Sequence, residues 1–237
     1  MSDKDSSNNL ITINSICSLL DFSGEGALGF LNNLVISDLN ELKNEQFNYS
    51  AVCNPKGRII ASLWIKIISS EHILMVCPKN MIDDLSNFFN QRKFRLKINI
   101  TMIDKNITLD NELGDINITD INILREIDIN RIYENFYQFL FKNNLPWIDH
   151  NNSEKFIPQH VNLDQHANIM NFTKGCYPGQ EIVARIKFLG TIKKRMCLLT
   201  NNDKEKLIDM SQDCVKVSPV IAMDAETSFS IQVIKQL

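Results

Sequence analysis

The chain has 237 residues, 44% hydrophobic and 22% charged, with a formal net charge of −3. That is enough for one large domain or two to three small ones around a real core. The charge excludes a global positive field for nucleic acid, so any RNA contact must rest on a local basic patch. No run of about 18 apolar residues occurs, so no transmembrane helix is expected. The polar, acid-bearing stretch Met1–Asn9 lacks a signal-peptide layout, which points to the cytoplasm.

Residues 1–9 read as a disordered tail, and Leu10–Leu20 as one or two short strands. Asp21–Gly26 reads as a turn, and Ala27–Leu34 has helical apolar spacing with Ser23 and Glu25 as start signals. Ser37 or Asp38 is placed to cap the next element. Tyr49–Cys53 and Arg58–Ile68 are β-rich runs joined by Asn54-Pro-Lys-Gly57, a hairpin turn in which Pro fixes φ and Gly permits positive φ. His72–Val76 is a strand, Asn80–Phe89 an amphipathic helix and Phe94–Ile103 an alternating strand. Residues 104–128 alternate Ile with Asn or Asp, which argues strand by period and against it by composition. Ile129–Lys142 is helical and broken by Pro146, Trp147–Gln159 is a loop, Lys194–Thr200 a strand, and residues 213–235 offer two more. Without regular βαβ alternation or a repeat, the class is α+β. Asn and Ile fill about a quarter of the chain, a drift in composition that leaves the hydrophobic pattern intact.

The six cysteines, Cys17, Cys53, Cys77, Cys176, Cys197 and Cys214, form no C-x-x-C pair and have no histidine at metal-ligand spacing, so no metal site is expected. Cys176 alone sits in an unusual context. Gly175 and Gly179 bracket it, Pro178 suits the first turn of a helix, and Gln180–Phe188 continues as a helix stopped by Gly190. Glu181 and Arg185 are an i,i+4 pair. A thiol just before a helix N-terminus and two residues from Lys174 is favoured as a thiolate. The alternative is a small residue packed beneath a turn.

The segment Lys174-Gly-Cys-Tyr-Pro-Gly-Gln-Glu181 resembles the K-G-C-Y-x-G-Q-E signature of the YgfZ family. Its flanks are similar too: Leu145-Pro-Trp-Ile-Asp149, Phe156-Ile-Pro-Gln159 and Asn162-Leu163 upstream, Val183-Ala-Arg185, Lys187-Phe188 and Gly190 downstream, with Asp38 and Lys56-Gly57-Arg58 nearer the N-terminus. The likeness covers most of 10–200. It implies the fold of the related glycine-cleavage T-protein: a folate-binding core of interleaved α/β subdomains over 10–195 and an abbreviated, barrel-like β segment over 196–237. It implies tetrahydrofolate as cofactor, with Cys176 as the essential thiol, Lys174 tuning it, and Gly175, Tyr177, Gly179, Gln180, Glu181, Phe136 and Asp38 around the folate. The implied role is accessory, without a defined turnover reaction. It supports iron–sulfur enzymes, such as tRNA-thiolating enzymes, and tRNA modification, with a link to regulation of replication initiation.

Departures from the pattern narrow this. The T-protein strand that carries an Asp pair is matched by Arg58-Ile-Ile-Ala-Ser62, with no carboxylate to steer protonation, which argues against the alternative of aminomethyl transfer. Cys17 and Phe136 stand where the family has tryptophans, and Phe136 keeps a ring able to stack on a pterin. Asn32-Asn33-Leu34 replaces a family Gln-Gly-Gln. Arg185, Lys187, Lys193, Lys194 and Arg195 form a basic cluster that could meet tRNA phosphates or a glutamyl tail, or be a solvated face. A third reading is thus an RNA-binding module. His160 and His166 lack an oriented partner for a thiol hydrolase, and Trp64 and Trp147 read as core.

Overall fold

The computed structural model describes residues 10–42, 46–110, 115–119, 128–200, 215–218, 221–222 and 228–235. The tail expected over 1–9, Cys214 and residues 120–127 of the Ile-rich stretch lie outside the described residues. In chain order the elements are β1 (Leu10–Thr12), β2 (Cys17–Ser23), α1 (Ala27–Asn32), β3 (Asn48–Cys53), β4 (Ile59–Ser69), β5 (His72–Pro78), α2 (Ile82–Lys93), β6 (Asn99–Ile103), β7 (Asn106–Asp110), β8 (Asp115–Thr119), α3 (Ile129–Lys142), α4 (Gln180–Leu189), β9 (Lys194–Thr200), β10 (Val215–Lys216), β11 (Ile221–Ala222) and β12 (Ser228–Lys235).

An antiparallel sheet in the order β3-β4-β5-β2-β6 forms the centre. Both of its faces are buried, and the side-chain period of two divides them. Cys17 and Leu19 join one apolar cluster with Tyr49, Trp64 and Val76, which α3 and the segment 145–170 cover. Leu20 and Phe22 point the other way, into a cluster with Leu63, Ile65 and Met75 that α1 and α2 close. Phe22 meets Phe89 of α2 edge-on at 5.1 Å, the arrangement aromatic quadrupoles favour.

A second sheet runs β1-β7-β8, and a third is built on β12, which pairs with β9, β10 and β11. β1 and β2 are neighbours in sequence yet belong to different sheets, as do β6 and β7. The chain thus passes between these two sheets twice, in an α+β arrangement.

Three boundaries differ from the sequence reading. Asp21 lies inside β2, because His72 of the adjacent β5 holds its carboxylate at 2.6 Å. Ser37 caps no helix; it is buried and donates to Ile169 O while bonding Ser50 Oγ, both at 2.7 Å. Residues 94–98 are not strand, since α2 runs on to Lys93 and Phe94 takes a positive φ of 45° before β6 begins.

Candidate functional site

The Cys176 loop is anchored from its upstream end. Asn171 Oδ1 accepts from the backbone N–H of Thr173 and Lys174, turning the chain, and Asn171 N–H donates to Ile36 O. Lys174 then enters the interior. Its ammonium donates to the carbonyls of Asn32 at 2.5 Å, Val35 at 2.8 Å and Ser37 at 2.5 Å. An ammonium has three donors, and these carbonyls take them. Burial lowers the Lys174 pKa to about 8, and Asp38 acts the other way. Lys174 therefore staples the loop to the end of α1, and its hydrogen bonds go to these carbonyls rather than to the Cys176 thiol.

The downstream end is fixed by a close approach. Gly179 caps α4 with φ +82°, and a Cβ there would lie 2.4 Å from Asn54 O and 2.5 Å from Gly57 Cα. The hairpin turn of β3 and β4 thus seats on the start of α4, and Pro178 falls just before the cap rather than in the first turn. A Cβ on Gly175 would meet nothing within 4 Å. Gln180 Nε2 closes the loop on Lys174 O at 3.2 Å, and Glu181 pairs with Arg185 at 3.0 Å on an exposed face.

Between these anchors Cys176 is the one exposed cysteine among the described residues. It shares an open cavity of about 440 Å³ with Tyr177, Gly179, Gln180, Glu181, Pro55, Ile182 and Ala184. The Tyr177 hydroxyl is buried with no hydrogen-bond partner; burial, then Cys53, raises its pKa, so it stays protonated.

The motif flanks act as staples. Gln159 Nε2 donates to Val183 O of α4 at 2.7 Å, and Asn162 Nδ2 to Met196 O of β9 at 2.8 Å. Arg195 grips Asp164 through both oxygens and donates to Gln159 O. Arg195 is thereby removed from the basic cluster as a free phosphate contact. His160 beside it has its pKa lowered to about 4 by burial first, then by Arg58, Lys194 and Arg195.

A second cavity, of about 200 Å³, lies at the foot of α3. Tyr133, Tyr137, Trp147, Asp149, Asn80, Lys79, Ile16 and Ser15 line it. The segment that carries Trp147 and Asp149 is pinned by the wholly buried Ser62: Ile148 N–H donates to Ser62 Oγ at 2.9 Å, and Ser62 N–H to Ile148 O at 3.0 Å. Asn152 pins it too, accepting from Asp149 N–H and donating to Trp147 O. Asn80 Nδ2 holds the Asp149 carboxylate at 3.1 Å. Burial, Asp149, Tyr133 and Cys17 raise the Tyr137 pKa, which leaves its hydroxyl a donor. Ser15 Oγ has no partner there.

Several expected residues are not brought to a cavity. Phe136 is 0% exposed; its ring meets Trp64 at 6.1 Å and Trp147 at 5.1 Å, so it is a core ring, not a stacking surface. Asp38 closes a turn onto Asn40 and faces Lys174. The sequence reading passed over Tyr133 and Tyr137, whose i,i+4 spacing on α3 was the available signal, and Asp149, named only as part of a motif.

No family model matches the chain. A relative from Haemophilus influenzae, described as an uncharacterized protein, is 27% identical over 192 residues, 75% of this chain and 69% of its own. A protein named tRNA-modifying protein YgfZ from Blochmanniella pennsylvanica is 26% identical over 230 residues, 75% of this chain and 67% of its own. The protein of that name from Yersinia pestis is 51% identical over 57 residues, 24% of this chain and 17% of its own. Among solved structures, the aminomethyltransferase T of the glycine cleavage system from Bartonella henselae superposes with a TM-score of 0.61 over 95% of this chain and 78% of that one, at 12% identity. The fold is that of the T-protein.

Three outcomes test this geometry. Gly179→Ala lowers the melting temperature, because the turn and cap cannot both accommodate a Cβ, whereas Gly175→Ala leaves it unchanged. Lys174→Met costs about 2–4 kcal/mol in urea unfolding by stranding buried carbonyls, yet leaves the iodoacetamide alkylation rate of Cys176 in the folded protein close to wild type. His160 binds its proton more weakly folded than unfolded, so stability falls as pH drops from about 6.5 to about 4; His160→Gln flattens that part of the profile.

Proposed function

We propose that this chain, similar to the YgfZ relatives and built on the T-protein fold, is a folate-binding accessory protein of tRNA modification, with a pterin in the Tyr137–Trp147–Asp149 cavity and Cys176 as the working thiol. The observation that carries the reading is the make-up of that cavity. At about 200 Å³ it is below the range of about 300–1,000 Å³ for whole-ligand pockets, so it suits one end of tetrahydrofolate. Trp147 and the tyrosines offer aromatic wall, Asp149 an acceptor for amino and ring N–H groups, and Tyr137 a hydroxyl donor, with the buried, unpartnered Ser15 hydroxyl in the same lining. Lys79 at the rim supplies a cation for the glutamate carboxylates. These residues fit the group.

Bound folate would supply one-carbon or reducing equivalents. The chain's part is to orient the pterin edge, exclude water behind Trp147 and keep the Tyr137 proton in place. The name of the YgfZ relatives, tRNA-modifying protein, supports the cellular setting. On this reading the partners are iron–sulfur enzymes, such as those that thiolate tRNA, in the cytoplasm. Among the described residues no helix is long and apolar enough to cross a membrane. The competing reading, aminomethyl transfer, needs an acid on the strand Arg58–Ser62, where the chain has none and Ser62 is committed to Ile148.

Titration with tetrahydrofolate quenches tryptophan fluorescence through Trp147. Asp149→Asn weakens the affinity about tenfold or more, the scale of a lost charge-assisted hydrogen bond, and Cys176→Ser leaves it unchanged. Absence of quenching at high micromolar ligand rejects the pterin site, and glycine-cleavage turnover by the purified protein rejects the accessory role.

A further inference from the structure

We infer that the exposed ridge formed by α4 and Phe172 is a docking surface for a single-stranded RNA segment. The chain is acidic overall, yet residues 182–195 carry five cations, Arg185, Lys187, Lys193, Lys194 and Arg195, and no acid. Arg195 is spent on Asp164. The others lie along the C-terminal half of α4 and the approach to β9, with Lys187 and Lys193 exposed.

Aromatic rings stand among them. Phe188 is 70% exposed and meets Phe172 edge-on at 6.0 Å. The Lys187 ammonium lies 5.4 Å from the Phe172 ring centre. Leu189, 84% exposed, extends the apolar strip. Together these side chains form one contiguous apolar strip rather than isolated exposures. Open rings between cations are what a nucleotide chain takes: bases stack on the rings and phosphates meet the lysines, without base-specific hydrogen bonds. Glu181 of the same helix pairs with Arg185, so Lys187, Lys193 and Lys194 carry the positive charge of the ridge.

The strip runs along α4 toward the cavity of Cys176, since Ile182 and Ala184 of the same helix line that cavity. A strand lying on the ridge therefore passes beside the thiol. The surface shares no residue with the pterin cavity, so the two readings fail separately.

The test is fluorescence anisotropy of the full chain with a labelled, unstructured oligoribonucleotide of about 12 nucleotides, within the usual footprint of such surfaces. Wild-type protein binds, and affinity falls with salt. Phe188→Ala weakens binding about tenfold, one lost base stack. Lys187→Glu with Lys193→Glu weakens it further and lowers the log–log salt slope by about 0.7 per lost phosphate contact. These side chains are exposed, and circular dichroism and melting confirm that each variant folds. No binding by wild-type protein at about 50 mM salt, where phosphate contacts are strongest, overturns the inference. So does binding that survives all three substitutions. Loss of a co-purifying protein in the ridge variants, with RNA binding intact, assigns the face to a protein partner and equally overturns it.

Discussion

Everything around the Cys176 loop depends on one buried cation. The Lys174 side chain is buried, and its ammonium is solvated by the carbonyls of Asn32, Val35 and Ser37, with the Asp38 carboxylate acting on it as well. Carbonyl dipoles meet the desolvation cost only if all three converge. That requirement orders the end of α1, whose last carbonyls have no helical partner, and the turn after it. In return the turn fixes where the chain re-emerges at Gly175 and Cys176. Asn32, a departure from the family pattern in sequence, supplies both its carbonyl and its side-chain oxygen to this cage.

Much of the scaffold was legible from residue order. The hairpin of β3 and β4 follows from two β-rich runs and a Pro-Gly turn, and the bounds of α3 and β9 follow from periodicity. The site was legible as a location and less so as a set of roles. Phe136 and Tyr137 are one residue apart on α3, which is about 100° of rotation on a helix of 3.6 residues per turn. That step separates a core ring from a cavity wall, and only the packing against Trp64 decides between them. Trp147 was read as core and is buried, yet one edge of it faces the cavity. Spacing placed Lys174 two residues from Cys176, but its long side chain answers to partners in a distant segment.

The two cavities are held by different means. In the smaller one, the segment that carries Trp147 and Asp149 is pinned by small buried polar side chains, Ser62 and Asn152, which rigidify Pro146–Asp149 without contributing chemistry. Tyr49 joins them, donating to Pro146 O at 2.6 Å. The larger cavity is open, and its rigidity comes from backbone contact between Gly57 and Gly179. Composition drift toward Asn and Ile is tolerated by the first device, where Asn is itself a good staple, and has no purchase on the second, where only a missing side chain fits.

The Lys174 cage also has a temporal meaning. Its ammonium and its acceptors are separated by 137 to 142 residues of chain. Contacts of such high contact order form after the intervening segments have collapsed, because loop closure must be met before the contact rewards it. The shape of the thiol loop is therefore set by a contact across more than half the chain rather than by its own turn residues. A truncation that removes the end of α1 would leave the same cysteine without the cage that places it.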